Sequence, residues 1–196
     1  NGFWRVPGAF NDVAHKNGVK TGCTYFIDWG TGVNQMDEPG KTLYELATPG
    51  TNSYGDQYKY SRKLIQFLKY YGIDGLCFNP EGYWGAAVYS RFIPFLAECH
   101  KIAKELNHPF HVDWYAFVTN FGQLSDNGCR LTTNNNNWFH HAATDQPVTD
   151  VYFLNYNWSE SGLKESVNTA KSHGRSTFDV YAGFDMQGRG YGKNGN

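Results

Sequence analysis

Asn79, Pro80 and Glu81 stand together in a chain of 196 residues, and the outer two could share one reaction. Residues at i and i+2 of an extended segment point to the same face, with α-carbons roughly 6–7 Å apart. Pro80 biases Asn79 toward the β region, which keeps that orientation. A carboxylic acid can protonate a departing oxygen and later take a proton from water. A carboxamide cannot ionise, but it can hold and polarise another amide, such as an acetamido group. An acid and an amide aimed at one bond suit substrate-assisted glycoside cleavage, whereas an ordinary retaining glycosidase uses two carboxylates. The spacing alone also fits plain loop punctuation.

The elements around this triplet decide which reading it takes. Pro7 opens a short helical stretch with Phe10, Val13 and Ala14, ending at Gly18. Strands are predicted over Val19–Trp29, Ile73–Asn79, Pro109–Ala116, Asp150–Asn155 and Asp179–Phe184. Helices are predicted over Tyr58–Tyr71, about Ala86–Leu106 and Ser159–His173, the first of these stopped by Gly72. Strands separated by helices imply βαβ units around a parallel sheet. Five strands suit an open doubly wound sheet or part of a (β/α)8 barrel. No G-x-G-x-x-G follows the first strand and no P-loop lysine motif appears. The expected fold is therefore a (β/α)8 TIM barrel. A complete barrel takes ~250 residues, so 1–196 is read as a barrel catalytic-domain segment covering about strands 2 to 6.

Function in such folds sits at the carboxyl ends of the strands. Those ends carry Asp28–Trp29, Asn79–Pro80–Glu81, Trp114–Tyr115, Asn155–Tyr156–Asn157–Trp158 and Asp185. Carboxylates, carboxamides and broad aromatic faces on one rim are the makings of a saccharide cleft. Composition agrees: 34 aromatics, 22 glycines and 18 asparagines accompany only 18% charged residues. Seventeen basic against 18 acidic residues leave a net charge of −1, with no basic field to attract nucleic acid. No apolar run approaches the ~20 residues of a membrane span. Cys23, Cys77, Cys99 and Cys129 show no zinc spacing, and Cys77 and Cys99 read as buried small hydrophobes. The thiols leave the compartment open. No signal peptide is visible, though the chain opens at Asn1 without Met; a secreted or cell-surface location is expected over a cytoplasmic one.

Tyr70–Glu81 (YYGIDGLCFNPE) resembles the catalytic strand of glycoside hydrolase family 85, the endo-β-N-acetylglucosaminidases, with its pattern close to YYGFDGW-F/I-N-x-E. Ala14–Gly22 (AHKNGVKTG), Asp150–Trp158 (DVYFLNYNW) and Gly174–Gly190 (GRSTFDVYAGFDMQGRG) resemble three further blocks of that family in the same order. The resemblance implies hydrolysis of the GlcNAc-β1,4-GlcNAc core of N-glycans. The substrate's acetamido oxygen would attack the anomeric carbon to give an oxazolinium. Asn79 would orient that acetamido group, Glu81 would act as general acid and then base, and Tyr115 would also contact the group. Trp158 would bound the sugar subsites. Three departures bear on glycan preference: Asn157 where the family often has Trp, Ala116 where it usually has Asp, and Leu131–Thr132–Thr133 in place of a stretch with Trp and Gln.

The candidate substrate-binding residues are thus Trp29, Trp84, Trp114, Asn155, Trp158 and Asp185, beside the catalytic Asn79, Glu81 and Tyr115. Trp84 would stack on sugar or cover the barrel mouth; Asp28 and Asp185 would touch sugar hydroxyls or support groups that do. Asp74, at the amino end of its strand, is expected to cap the strand entry, and Asn134–Asn137 to form a polar loop. His108/His111 and His140/His141 lack a zincin spacing and read as solvated or hydrogen-bonded histidines, and the implied chemistry requires no metal or organic cofactor. Two other readings stay open: a non-catalytic glycan-binding barrel, and a two-carboxylate glycosidase pairing Glu81 with Asp113 or Asp185.

Overall fold

The computed structural model describes residues 2–4, 6–27, 44–81, 85–116, 118–123 and 129–184. Among the described residues, eight strands and four α-helices follow in chain order: β1 (Gly2–Trp4), α1 (Gly8–Lys16), β2 (Gly22–Ile27), α2 (Ser61–Tyr71), β3 (Gly75–Pro80), α3 (Gly85–Glu105), β4 (His111–Tyr115), β5 (His140–His141), β6 (Gln146–Pro147), β7 (Val151–Leu154), α4 (Glu160–Ser172) and β8 (Val180–Ala182). The main sheet runs β1-β2-β3-β4-β7-β8, and all its pairs from β2 onward are parallel. A doubly wound sheet reverses its strand order at a switch point. This one never does, so it is wound in one direction, as consecutive units of a (β/α)8 barrel are. The five expected strands are the five parallel ones. The antiparallel β1 on the edge of β2 was not expected, because three residues are too few to show a period.

Alternation separates the two faces of the sheet. Leu76 and Phe78 of β3, and Val112 and Trp114 of β4, are buried against the helical layer. Phe78 meets Phe92 of α3 edge-on at 5.2 Å, and Trp114 lies flat on Trp138, their ring centres 4.1 Å apart at 7°. The residues between them, Cys77, Asn79, Asp113 and Tyr115, take the opposite face.

Polar contacts dock the helices at their ends. α2 stops at Gly72, whose φ of 65° is the left-handed conformation a helix C-cap needs. Asn11 of α1 donates to the Tyr71 and Gly72 carbonyls and accepts from the Thr21 hydroxyl. It is this amide that is buried, while Phe10 and Val13 of the same helix stand exposed. Asp74 accepts from the Thr21 N–H at 2.7 Å and lies 2.8 Å from His15 Nε2, so it ties the entry of its strand as expected. Just before α2, Glu98 of α3 accepts from the Tyr58 N–H and the Ser61 hydroxyl, tying the entry of α2 to α3.

The long β4–β7 connection departs from the polar loop expected at Asn134–Asn137. Asn135 and Asn136 are buried, and the run forms a framework with Asn120. Asn120 donates to the Thr133 carbonyl and Asn136 Oδ1 while its own oxygen accepts from the Asn137 N–H. Asn135 bridges the Arg130 carbonyl and the Thr132 N–H. Primary amides carry both donor and acceptor, and so match backbone groups in a segment that is buried without being helix or sheet. His140 lies 2.9 Å from Asp145 and stacks on His173, and His108 lies 2.9 Å from the Ile73 carbonyl oxygen.

Arg62 donates Nε and Nη2 to the two oxygens of Asp56 at 2.7 and 2.8 Å, with a further bond to Glu105. The guanidinium holds the Asp56 carboxyl below its ordinary range. A depressed folded-state pKa gives stability that is present above ~4 and lost as pH falls through the folded value. Asp56→Asn should therefore lose about 3 kcal/mol at neutral pH, because Arg62 is left buried with one partner fewer. The deficit against wild type should narrow below pH ~4 in urea unfolding read by circular dichroism.

Candidate functional site

At the carboxyl end of the parallel strands, Thr24, Cys77, Asn79, Glu81, Tyr115, Phe153 and Tyr156 line a cavity of about 370 Å³. Strand register brings them together. Phe26 is level with Asn79, Cys77 with Asp113, and Tyr115 with Phe153. Continued by two residues, the β3–β4 register sets Asn79 beside Tyr115. Asn79 and Glu81 share this face through the alternation the sequence predicts, with the buried Pro80 between them on the other.

The Asn79 carboxamide oxygen is buried and has no hydrogen-bond partner among the described residues. A buried acceptor left unpaired costs about 1–3 kcal/mol, so a donor brought by a ligand would be held strongly there. The Tyr115 ring packs at 5.5 Å and 50° on Phe153, and Tyr156 lines the same cavity. Burial, and then the neighbouring Tyr156 and Glu81 as negative charges, push the Tyr115 phenol far above its ordinary pKa. Tyr115 is thus a neutral hydrogen-bonding group at any working pH. Beneath it, burial pushes the Cys77 thiol up to about 12, so Cys77 is an inert wall. It is half-buried on the cavity face, where a fully buried hydrophobe was expected, while Cys99 is buried as expected.

The predicted rim resolves unevenly. Asn79, Glu81 and Tyr115 converge. Trp114 does not: it is fully buried on the helical side, stacked on Trp138, because adjacent residues of β4 alternate faces and Trp114 points away from Tyr115. It is a core residue, and its assignment to sugar binding is corrected. Asn155 is also buried, its oxygen accepting from the Asn157 N–H at 3.3 Å, so it shapes the loop after β7 instead of presenting an amide to sugar. Trp158 is half-buried and donates its indole N–H to the Gly183 carbonyl at 2.8 Å. Trp29, Trp84, Asp28 and Asp185 lie outside the described residues. Phe153, Tyr156 and Thr24 were missed as cavity residues. Tyr156 stands in a quoted motif, but only cross-strand register reveals which way such residues face.

A second hollow of about 410 Å³ opens at the amino ends of the same strands, lined by Lys20, Asp74, His111 and Asp113 among others. Asp113 lies 2.8 Å from His111 there and raises its pKa, and it does not line the Glu81 cavity. This removes Asp113 as the second carboxylate of a conventional pair. Among the described residues, no three His, Cys, Asp or Glu side chains are grouped to hold a metal.

Comparison with known proteins agrees with this geometry. Residues 6–196 match the family model described as glycosyl hydrolase family 85. Cytosolic endo-beta-N-acetylglucosaminidase 1 of Arabidopsis thaliana is 29% identical over 184 residues, covering 94% of this chain and 24% of its own length. The Homo sapiens cytosolic endo-beta-N-acetylglucosaminidase is 26% identical over 187 residues, covering 94% and 22%. The chain therefore spans about a quarter of the length of the curated relatives it matches. Among solved structures, the glycoside hydrolase domain of Endo-D from Streptococcus pneumoniae R6 superposes with a TM-score of 0.78 at 25% identity, covering 93% of this chain and 27% of that one. A family 18 chitinase from Flavobacterium johnsoniae, at a TM-score of 0.51 and 12% identity over 88% of this chain and 52% of its own, shares the fold alone. The curated relatives are named as cytosolic, which overturns the expected secreted or cell-surface location.

Just past β8, Gly183 abuts the end of β7 and the turn that follows it. A Cβ there would stand 2.5 Å from the Leu154 carbonyl oxygen and 3.0 Å from the Tyr156 nitrogen. Gly183→Ala must push the β7 end and the Tyr156 backbone away. It should cost about 1–3 kcal/mol as overpacking, read as a lowered denaturant midpoint with an unchanged m-value.

Proposed function

This chain belongs to glycosyl hydrolase family 85, and from that premise we propose that residues 1–196 form part of the catalytic barrel of an endo-β-N-acetylglucosaminidase acting on N-linked glycans. The bond cut is the GlcNAc-β1,4-GlcNAc link of the core. The observation that carries the reading is the unpartnered Asn79 oxygen in the cavity that also holds Glu81 and Tyr115. An acetamido N–H donated to that oxygen would satisfy it, and would leave the acetamido carbonyl oxygen richer in electrons for attack.

Catalysis then runs in two displacements. The acetamido oxygen bonds to the anomeric carbon as the bond to the departing GlcNAc oxygen breaks, and Glu81 gives that oxygen its proton. The ring closed on the sugar is an oxazolinium. Glu81, now a carboxylate, takes a proton from water, whose oxygen attacks the anomeric carbon and reopens the ring with retained configuration. Asn79 stabilises the charge on the acetamido group, and Tyr115, kept neutral by burial and its neighbours, holds that group in line. Trp158 bounds the sugar subsites from the loop after β7. A cytosolic setting, like that in the names of the curated relatives, is adopted for it.

Incubating the complete protein with an N-glycosylated protein should leave one GlcNAc per site by mass spectrometry. Glu81→Gln should lower kcat by about 10²–10⁴. Asn79→Ala should cost about 10²–10³, nearly as much. A glycan whose cleaved residue lacks the 2-acetamido group should not be cut. A mild Asn79→Ala would point to a two-carboxylate enzyme, and sugar affinity without any cleavage to a binding barrel.

A further inference from the structure

We propose that Thr24 and Cys77 decide which N-acyl group the enzyme accepts: together they form the floor of the acyl pocket and divide it from the hollow below. The inference rests on the reading of Asn79, Glu81 and Tyr115 given above, and adds to it a limit on the length of the acyl chain.

Strand register stacks the inward-facing residues in tiers. Asn79 is level with Phe26, and Cys77, two residues earlier, is level with Thr24. Two residues of strand rise roughly 6–7 Å, so Thr24 and Cys77 lie one pleat beneath the amide, with Glu81 on its mouth side. Among the described residues, these two are the ones shared by the cavity of about 370 Å³ above and the hollow of about 410 Å³ below. Asp113 is level with Cys77, but it stands 2.8 Å from His111 and lines only the lower hollow.

The tier beneath the floor has no side chains on β2 and β3. Gly22 and Gly75 are paired there, on the same inward face as Thr24 and Cys77. Layers of inward side chains ordinarily fill a TIM barrel, and two glycines in register leave this part of one layer open. Gly75 has a reason to be glycine, since a Cβ there would collide with the His111 carbonyl oxygen. Gly22 is under no such pressure: a Cβ there would meet nothing nearer than the Gly75 carbonyl oxygen at 3.5 Å.

The chemistry of the amide aims the acyl chain at this floor. In a trans amide the acyl chain lies on the same side of the C–N bond as the N–H. An acetamido N–H donated to the Asn79 oxygen therefore turns the methyl group toward β3. Glu81 and the bond it protonates occupy the mouth side of Asn79, which leaves the methyl the direction of Cys77 and Thr24. An acetyl group ends there. Every further methylene has to displace the floor or be refused.

The test uses the complete protein and two N-glycans whose cleaved GlcNAc carries either an N-acetyl or an N-butanoyl group. In both, the acyl carbonyl oxygen is the nucleophile, and only the chain behind it differs in length. The quantity read is kcat/KM for butanoyl divided by that for acetyl, in which a general loss of activity cancels. Wild type should give about 10⁻² or lower, since one methylene in a fitted pocket is worth about 10–200-fold. Cys77→Ala should raise the ratio about tenfold or more, and Thr24→Ala should raise it as well. Adding Gly22→Val to Cys77→Ala refills the space below, and should return the ratio to within about threefold of wild type.

A wild type that cuts both glycans alike would overturn the assignment, as would a Cys77→Ala ratio unchanged from wild type. So would a gain that survives Gly22→Val, because the longer chain would then not be entering the lower hollow. If Cys77→Ala fails to fold, Thr24→Ala decides by the same ratio, and an unchanged value sinks the proposal. A wild type active on the N-acetyl glycan, with no shift in either variant, overturns the floor only. A wild type inactive on that glycan removes the underlying reading, and the floor with it.

Discussion

The parallel stack of Trp114 on Trp138 is the contact on which the arrangement of the site depends. One indole belongs to β4 and the other to the long segment that leads back to β7, and both are fully buried. Phe78 and Phe92 complete the cluster, joining β3 and α3 to it. Aromatic groups of this size dominate the energetics of a core. With Trp114 locked on the helical side, its neighbour Tyr115 has to face the other way. The same holds in β3, where the buried Phe78 and Pro80 leave Asn79 and Glu81 on the cavity face. Hydrophobic packing on one side of the sheet thereby aims polar groups on the other.

A second layer of support comes from amides. The β4–β7 connection is neither helix nor strand over most of its described length, yet much of it is buried. The Asn120 and Asn135 side chains take the place of a regular ladder by bonding to backbone carbonyls and N–H groups, while the Asn136 amide accepts from Asn120 and lies 2.9 Å from His173 Nε2. Trp138 closes the same framework by donating its indole N–H to the Thr119 carbonyl. The asparagine richness that suggests sugar contacts in the sequence is in this stretch a structural device. Elsewhere the Asn79 amide oxygen has no partner among the described residues, and that contrast separates scaffold from site.

Much of this was legible in the residues. Runs rich in β-branched and aromatic residues placed the five parallel strands, period-3.6 patterning placed the helices between them, and strand ends pointed to Asn79, Glu81 and Tyr115. Trp114 was misread because a strand's last residues were treated as one rim, although adjacent side chains point to opposite faces. Asn155 was misread for a related reason: a polar residue at the mouth of a fold can serve the turn instead of the ligand. Tyr156 was named only within its motif, because which residue of a loop turns into the cavity shows only once the strands are assembled. The choice between a barrel and a doubly wound sheet lay in strand order, which no local pattern encodes.

The alternation of faces in β3 and β4 has a consequence for how such a chain can change length. Loops between strand and helix can gain or lose residues, because the ends they join stay where they are. Removing or adding one residue between Gly75 and Asn79 would instead exchange the two faces of everything that follows in the strand. The amide and the acid would then be driven into the aromatic layer, and Phe78 and Pro80 would be turned toward the cavity. Divergence in this fold is therefore free to proceed by loop insertion and by substitution, while the stretch from Gly75 to Glu81 is bound to a constant count.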